Sequence, residues 1–526
     1  MSSKLLDRAN RQTTLAAAAG LISFSYLISR LLGLFRDRLL ATHFGIGPKM
    51  DAYTAAFRLP ELLFTLLVSG AFAVAFIPIL TEHLVKEEKK EAWELTSSLL
   101  NLLVLGTFAI AIVIFIFASP LTTLVTPGFD AYRHTLTVGL TRIMLLTPMF
   151  FAISSVLGSV QQAFHRFVIF ALASVFYNVG IIFGILYLAP THSIYGVAWG
   201  VVIGAGLQAA LQIAGLTGLG YRYSLHLRPQ LRSVRRVITL MIPRSIDQGM
   251  DQINYLAETI IGSRLATGSL TSYYYANNLK NVPMALIGSA ITTATFPKLS
   301  EQAAQGEKHQ LFGQFARTFR WILFLTLPSA VAAIVLRGYI VRLLFGFGSS
   351  VTADTLGWFA GTIIFQSLFF LVARVYYAFQ DTRTPLLSSI AAITINVILS
   401  FTLSIYMGVQ GLALATSISA TFETLLLLSI LRRRHGDIGQ RTISWAAFRM
   451  AAAAGVMAIT VHYCVKYVFP LYAGDQGFGV VGVKFIILVA IGTVAYLVPS
   501  HLLRLSETSS LLKRLRDMMA RSLSLN

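Results

Sequence analysis

SRLLGLFRD (residues 29–37) and MDAYTAAFRLPELL (residues 50–63) combine long apolar sequence with a few ionisable side chains. Both stretches are apolar enough to enter a bilayer, yet they carry Arg30, Arg36 and Arg58. An arginine at the centre of a membrane helix costs about 2.5 to 3.5 kcal/mol even on a lenient insertion scale, so it needs an interior cavity, a partner or a ligand. The pattern predicts a helical membrane protein that handles a polar, anionic substrate.

The composition excludes a soluble globule. The chain has 526 residues, of which 56% are hydrophobic and 12% charged, and its mean hydropathy is +0.70. Long apolar runs recur near the roughly 20 residues that span a hydrocarbon core as a helix, without the short alternation of an outer-membrane barrel. We predict an all-α polytopic membrane protein with about 14 transmembrane helices. The expected spans begin near Leu15, Asp51, Leu95, Tyr132, Val168, Ile194, Val237, Ser272, Phe312, Thr352, Pro385, Gly411, Ser444 and Gly479.

Lysine and arginine fall in alternate loops, which indicates the orientation of the chain. Loops rich in these residues stay on the cytoplasmic side, and their parity predicts that both termini are cytoplasmic. The basic loops follow the second, sixth and twelfth expected spans and contain Lys86, Lys89, Lys90, Arg222, Arg228, Arg232, Arg235, Arg236, Arg432, Arg433, Arg434 and Arg441. This topology and anionic membrane lipid explain much of the net charge of +20. No nucleic-acid partner is needed.

The two halves of the chain resemble each other at a nearly constant offset, which is typical of a duplicated transporter bundle. Gly196 and Ala198 match Gly411 and Ala413, and Pro78 matches Pro297. We therefore predict two pseudo-symmetric six-helix lobes, related by an axis along the membrane normal, plus two C-terminal helices. The expected domains are an N-terminal lobe (1–222), a basic cytoplasmic linker (223–236), a C-terminal lobe (237–435), a helix pair (436–502) and an amphipathic tail (503–526) on the inner leaflet or against the bundle.

A polar stripe marks the seventh expected span. Arg244, Asp247, Asp251, Asn254 and Glu258 recur at steps of three and four residues, so they share one helical face. That face cannot lie against lipid. Either the arginine and the aspartates neutralise one another, or the stripe lines a cavity; Glu258 is the better ligand candidate.

Three further polar residues lie in the eleventh and twelfth spans. Asn396 and Ser400 are one turn apart, and Thr416 would complete an oxygen-rich pocket suited to a monovalent cation. The alternative is that these side chains bond across neighbouring membrane helices.

Catalytic motifs are missing from the sequence. It contains no HExxH, GxxxxGK[ST] or GxSxG pattern, and Cys464 is its single cysteine, within an apolar run. We therefore expect a transporter rather than an enzyme, with no resident cofactor. Its driving force would be a substrate gradient, the membrane potential or a coupling monovalent cation, Na⁺ or H⁺.

The motifs together resemble one known family. SRLLGLFRD, DAYTAAFRLPELL and GAFAVAFIPIL are similar to the MurJ (MviN) lipid II flippases of bacterial peptidoglycan synthesis, within a superfamily of drug and polysaccharide exporters. The resemblance covers nearly the whole chain. Further similar stretches are QQAFHRF (161–167), YYANNLKNVP (274–283), ATFPKLSE (294–301) and AFQDTRTP (378–385).

The resemblance implies alternating access that turns lipid II, an undecaprenyl-pyrophosphate-linked disaccharide peptide, from the inner to the outer leaflet of the bacterial inner membrane. It implies a central cavity between two lobes, a hydrophobic groove formed by the last two helices, and a role in cell-wall biogenesis and cell shape. Membrane lipids and cell-wall synthases are the other expected partners. By position in the motifs, Arg30 and Arg36 match cavity arginines, Asp37 and Asp51 match acidic residues, and Arg58 matches a basic position.

The sequence departs from this pattern at several positions. Phe64 and Ser69 stand where many members carry an arginine and a glutamate, and Asn278 stands where they carry an arginine. We expect Asn278 to lie at the substrate site, with Lys280 or Arg244 supplying the missing cation. For some members the family implies a cation site, for which Glu258, Asn396, Ser400 and Thr416 are the candidates here.

Two other functions remain open from sequence. A multidrug exporter or an exporter of another undecaprenyl-linked oligosaccharide would share the architecture, although intramembrane arginines favour a phosphate-bearing substrate. A glycosyltransferase that polymerises lipid II would need a sizeable outer loop with catalytic carboxylates, and the corresponding loops here are short.

Overall fold

Helices make up most of the chain in the computed structural model, which describes residues 15–523 except 69, 70, 347, 473 and 476. Within that range, the side chains of residues 15–24, 26, 71, 243, 244, 246, 247, 514, 515 and 518–523 are not described. The first helices are α1 (Leu15–Phe44), α2 (Pro48–Ala56), α3 (Arg58–Leu67), α4 (Ala71–Val85), α5 (Lys89–Ile116), α6 (Ala118–Val125), α7 (Ala131–Met144), α8 (Thr147–Ala163), α9 (Phe167–Phe183), α10 (Ala189–His192), α11 (Ile194–Ala214) and α12 (Arg232–Ser263). The remaining helices are α13 (Ser269–Pro283), α14 (Ala290–Ala304), α15 (Lys308–Val335), α16 (Arg337–Phe345), α17 (Ser350–Trp358), α18 (Ala360–Ala378), α19 (Arg383–Met407), α20 (Val409–His435), α21 (Gln440–Tyr463), α22 (Val483–Leu502) and α23 (Ser506–Leu523).

The all-α polytopic fold expected from the sequence is confirmed. Among the described residues, eleven helical stretches are long and apolar enough to cross a membrane, so the chain is a multi-pass membrane protein. The eleven do not include α12 or the pair α13–α14, which carry Glu258 and Lys280. Charged and amide side chains lower the hydropathy of these helices, and the expected number of fourteen is therefore approximate.

Within the part of the chain described above, four short segments adopt the wider π-helical geometry, in which backbone hydrogen bonds span five residues. They are Gly184–Leu188, Met284–Ser289, Cys464–Val468 and Phe478–Gly482. The second begins directly after Pro283, and proline interrupts α-helical hydrogen bonding because it lacks an N–H.

Glycines bring α9 and α11 into backbone contact. Gly180 and Gly184 face Gly204 and Gly200, and a Cβ at Gly180 would lie 2.2 Å from the Cα of Gly204. Small residues spaced four apart allow membrane helices to approach this closely, where dispersion forces replace the hydrophobic effect as the source of association. These two helices therefore form a rigid pair that supports the neighbouring α1.

The internal repeat is visible in the backbone as well as in the sequence. Left-handed φ values occur at His165 (58°) and again 215 residues later at Gln380 (61°), and likewise at Ser193 (53°) and Gly408 (60°). A Cβ on Gly196 would meet the backbone carbonyl of the residue eight positions earlier, and Gly411 has the same relation to Leu403. The same turns recur in both halves, as a duplicated bundle requires.

The chain divides into two compact units, Met1–Thr271 and Ser272–Asn526. The core of the first unit is built by side chains such as Phe72, Phe76, Leu95, Leu99, Val156, Val160 and Val237. The core of the second unit includes Phe315, Phe324, Tyr339, Leu371, Tyr376, Leu427, Met450 and Leu488. The domain boundaries expected from the sequence stay a prediction.

Candidate functional site

Arg36 is fixed within the first unit by partners on two helices. Its Nε and Nη2 donate to the Oδ1 of Asp37 at 3.1 and 2.8 Å, and its Nη1 donates to the Oδ1 of Asn178 on α9 at 3.2 Å. The side chain of Asp37 is 3% exposed and that of Arg36 is 17% exposed. The guanidinium therefore keeps a fixed orientation while part of it stays accessible.

Asn178 connects this arginine to the backbone of two helices. Its amide nitrogen donates to the hydroxyl of Ser29 at 3.2 Å and to the carbonyl of Ser174 at 3.1 Å. Because the amide is held through its nitrogen, its oxygen points at Arg36. Arg30, which directly follows Ser29 in the sequence, has an exposed side chain, and Arg38 is half-buried.

Arg58 begins α3 and contacts α12. Its Nε donates to the hydroxyl of Thr259 at 2.9 Å, its Nη1 pairs with Glu61 at 3.2 Å, and its guanidinium carbon lies 5.4 Å from the ring centroid of Tyr255. The Arg58 side chain is 16% exposed, whereas that of Glu61 is 44% exposed. The arginine is thus held by a hydroxyl and an aromatic face, and its one carboxylate partner is itself accessible.

Asp51, on α2, is held differently. Its carboxylate accepts from the backbone N–H of Gly268 at 2.6 Å, and from the backbone N–H and hydroxyl of Thr271 at 2.9 and 2.7 Å. Arg133 on α7 lies 3.8 Å away. The donors from residues 268 and 271 belong to the start of α13, so Asp51 acts as a cap from a distant part of the chain. We call these four residues the Asp51 clasp.

Neighbouring contacts reinforce the clasp. Arg133 also pairs with Asp130 at 3.0 Å, and Asp130 caps α7 by accepting from the Arg133 backbone N–H at 2.8 Å. These bonds to its carboxylate hold the pKa of Asp130 below its usual value. Beside them, Gly128 touches the end of α12 so closely that a Cβ there would lie 2.5 Å from the Cα of Arg264.

The polar stripe predicted on the seventh span lies on α12. Glu258 is 4% exposed and accepts from Asn254 at 3.0 Å, whereas Asp251 is exposed. The side chains of Arg244 and Asp247 lie outside the described part of the structure. The stripe therefore runs from an accessible acidic residue to a buried one.

Asn278 and Lys280 lie on α13 in the second unit. Asn278 is half-buried. Lys280 is 7% exposed, and its Nζ lies 4.0 Å from the ring centroid of Phe359. The aromatic face stabilises the buried ammonium by a cation–π interaction.

The cation-site candidates divide between the two units. Asn396 and Ser400, 3% and 1% exposed, lie on α19 of the second unit with the Ser400 hydroxyl 3.4 Å from the Asn396 Oδ1. The hydroxyl of Thr416 lies 3.4 Å from that of Tyr273 and donates to its own helix. Glu258 belongs to the first unit. In the parts of the chain that the structure describes, no group of three or more His, Cys, Asp or Glu residues could hold a metal ion.

Several residues of these sites were missed by sequence reasoning. Asn178 and Thr259 orient the two arginines, and Glu423 on α20 is a 7% exposed carboxylate that accepts from Ser389 at 2.6 Å. Asn178 and Glu423 are polar interruptions of apolar runs, a signal that could have identified them. Thr259 gives no such signal, because threonine is common in membrane helices.

Comparisons with known proteins agree on one family. The family model described as "Lipid II flippase MurJ" matches residues 40–489. The "Lipid II flippase MurJ" of Burkholderia cenocepacia is 29% identical over 83% of this chain and 88% of its own. The "Probable lipid II flippase MurJ" of Rhizobium meliloti is 30% identical over 84% of this chain and 85% of its own.

Solved structures show the same fold. A lipid II flippase MurJ in an inward closed conformation matches with a TM-score of 0.76 and 24% identity, covering 92% of this chain and 98% of that one. An inward-facing multidrug-resistance MATE transporter matches with a TM-score of 0.67 and 14% identity, over 80% of this chain and 99% of that one. The resemblance read from the motifs is confirmed: the chain belongs to the MurJ family of lipid II flippases.

Proposed function

We propose that this chain translocates lipid II from the inner to the outer leaflet of the bacterial cytoplasmic membrane by alternating access. Membership of the flippase family supports the substrate. The structural observation that carries the proposal is the pair Arg36 and Arg58, two oriented and partly exposed guanidiniums in membrane helices. Their predicted role is to bind the pyrophosphate of the head group.

Arginine suits that role for geometric reasons. Its planar group presents five N–H donors and stays charged, and it can form two parallel hydrogen bonds with phosphate oxygens. Thr259 and Asn178 orient the two groups through neutral contacts, which do not reduce the positive charge. Asp37 and Glu61 are the acidic partners that an incoming phosphate would compete with. Further candidates for contacts with the head group are Arg30, Asn278, Lys280 and Arg244. Asp51 is also a candidate, although its carboxylate already accepts hydrogen bonds within the clasp.

The proposed membrane arrangement has both termini in the cytoplasm. It follows from the arginine-rich and lysine-rich loops, because such loops resist translocation. On this arrangement the substrate would be captured from the cytoplasmic leaflet and released to cell-wall synthases on the outer side. The proposed transport makes and breaks no covalent bond of the substrate and involves no nucleic acid.

We propose that a monovalent cation or the membrane potential drives the cycle. Asn396, Ser400 and Thr416 of the second unit supply neutral oxygens, and Glu258 of the first unit is a separate candidate that supplies a carboxylate. Oxygen ligands of this kind suit a hard cation such as Na⁺. Replacing Na⁺ by choline in a flipping assay, at constant membrane potential, separates sodium coupling from a response to potential or protons.

The experiment that tests the function is complementation of a bacterium depleted of its own lipid II flippase. Outer-leaflet lipid II is scored with an impermeant label for wild type, Arg30→Ala, Arg36→Ala and Arg58→Ala. Arg142→Ala is the matched control, because Arg142 is exposed and lies 5.0 Å from the ring of Phe115. We expect rescue by wild type and by the control variant, and loss of rescue by the site variants.

The opposite outcome has a defined meaning. If wild type inserts normally but exposes no lipid II, the substrate assignment is wrong. Other undecaprenyl-linked oligosaccharides and cationic drugs are then the substrates to test, since multidrug exporters share the fold.

A further inference from the structure

A large apolar cavity lies in the first unit, apart from the arginine sites. Its volume is about 650 Å³, within the range of ligand-binding pockets. The walls come from α5, α8, the end of α11 and the segment that follows α11. The lining includes Leu100, Val104, Leu157, Ile213, Tyr223 and Leu225.

The segment at residues 221–228 closes one side of this cavity and has no regular secondary structure. We call it the connector. Three of its large side chains are accessible: Tyr223, Leu225 and Leu227 are 53%, 81% and 46% exposed. Exposed apolar side chains of this size suit contact with lipid.

Polar side chains of α5 satisfy the backbone of the connector. Asn101 donates to the carbonyls of Ser224 and His226 at 2.9 and 3.3 Å, and Ser97 accepts from the Ser224 N–H at 3.3 Å. An irregular backbone needs such partners at membrane depth, because lipid offers none. The connector is therefore attached along α5 by specific hydrogen bonds.

Two tyrosines fix the start of the connector. The hydroxyl of Tyr223 donates to the Oδ1 of Asn101 at 2.7 Å, and the Tyr221 hydroxyl lies 3.1 Å from that of Ser97. The Tyr221 ring packs edge-on against Trp93 at 5.3 Å, and burial raises the pKa of its phenol. The cavity thus has a defined wall with an aromatic, hydrogen-bonded rim.

Positive charge surrounds this rim. Arg222 lies between the two tyrosines, has an exposed side chain and makes no ion pair with any residue that the structure describes. Arg228 pairs with Glu94 at 2.8 Å but remains 46% exposed. The cytoplasmic leaflet carries a negative surface potential from anionic lipid, which attracts basic segments next to the membrane.

We propose that the cavity behind the connector binds an acyl chain of an anionic glycerophospholipid of the cytoplasmic leaflet, with Arg222 at its phosphate. An apolar cavity beside an arginine that forms no ion pair with the described residues matches the chemistry of such a lipid. The site is distinct from the arginine sites on α1 and α3. The inference relies on the cytoplasmic position of the connector proposed above.

The test uses the full chain in nanodiscs of phosphatidylethanolamine that contain a minor fraction of phosphatidylglycerol with a diazirine near the end of one acyl chain. After irradiation, peptide mass spectrometry locates the cross-links. We expect them on α5, α11 and the connector. Ile213→Trp places a larger side chain in the cavity from an exposed position, and should lower these cross-links about tenfold, equivalent to about 1.4 kcal/mol.

Two controls define the outcome. Ile112→Trp changes an exposed apolar residue of α5 outside the lining and should leave the cross-links unchanged. Arg222→Gln should remove the preference for phosphatidylglycerol over a phosphatidylethanolamine probe with the same diazirine chain.

Three results would overturn the proposal: cross-links unaffected by Ile213→Trp, equal labelling by both phospholipids in the wild type, or labelling only by a polyprenyl phosphate probe. Repeating the assay in Arg58→Ala separates this site from flipping. Cross-linking should persist there even if transport is lost or the transport assignment is wrong.

Discussion

Asp51 and Arg58 lie on consecutive short helices, yet the structure holds the two charges in different ways. The Asp51 side chain is 2% exposed, and its oxygens accept three hydrogen bonds and face Arg133. The Arg58 side chain is 16% exposed and donates to Thr259 and Glu61. Of the five N–H donors of a guanidinium, only two are used in these contacts.

This difference separates two reasons for placing a charge in a membrane helix. A carboxylate that accepts all its hydrogen bonds from groups of the protein stabilises the fold. Removing that carboxylate leaves buried donors without partners. A guanidinium that retains donors and some exposure is able to bind an anion. Four substitutions test whether the clasp and the arginine sites differ in this way.

The largest effect is expected for Asp51→Ala. The change leaves the N–H groups of Gly268 and Thr271 and the Arg133 guanidinium without their shared acceptor. Breaking a buried charged contact costs about 3–5 kcal/mol. Thermal unfolding of the purified protein in detergent should show a large fall in Tm, and Asp51→Asn, which keeps one acceptor oxygen, should show a smaller one.

The contrast between the clasp and the arginine sites would be wrong if Asp51 binds the substrate. Asp51→Ala would then fold with the Tm of wild type and lose flipping alone. In that case the acidic residue matched to the family motif contacts the substrate, as the sequence predicts.

Arg58→Ala is expected to affect transport more than folding. Hydrogen bonds to charged groups contribute about 1.5–3 kcal/mol, so lipid II flipping should slow by roughly 10- to 150-fold. Arg58→Lys should restore part of it, since lysine keeps the charge but loses the planar fork. A rate assay in proteoliposomes, with Tm measured on the same samples, checks both parts; a Tm loss as large as that of Asp51→Ala would show that Arg58 is structural.

Much of the fold could be predicted from sequence because membrane helices follow from apolar length. The repeat was also detectable, since Gly196 and Gly411 make equivalent close contacts with the backbone eight residues earlier. Close contacts require small residues, so the same small residues occur at matching positions of the two halves, where a comparison of the halves detects them. The number of spans was less secure, because α12 and α13 contain the polar residues that lower hydropathy.

The site was only partly predictable. The sequence showed that Arg36 and Arg58 need partners, because a charge in an apolar run has no other explanation. It could not show that Asn178 and Thr259 are among those partners, since the contacts join residues separated by 142 and 201 positions. It also gave no sign that Asp51 accepts from a loop 217 positions away.

Gly128→Ala tests the clasp without changing a charge. The added Cβ would meet the backbone of residues 263 and 264 at 2.5 Å, so the end of α12 must shift. Overpacking of this kind costs about 1–3 kcal/mol, and Tm should fall while the Arg58 contacts are unchanged. Gly106→Ala is the matched control, because no atom lies within 4 Å of a Cβ there. Equal Tm values for the two variants would mean that the loop at Gly128 yields freely and does not reinforce the clasp.

The smallest effect is expected for Asn178→Leu, which removes the amide that orients Arg36. The Arg36–Asp37 pair remains, so the guanidinium keeps one partner but loses the contact that fixes its direction. A single hydrogen bond contributes about 0.5–1.5 kcal/mol, which predicts a reduction in flipping of up to about tenfold. Ser174→Ala on the same helix is the control, because the Ser174 hydroxyl donates to Ala171 within its own helix at 3.4 Å. A lower Tm without a loss of flipping would show that Asn178, like the clasp residues, has a structural role and holds α1 against α9. A loss of flipping at unchanged Tm would place it with the arginines, as a positioning residue for the substrate site.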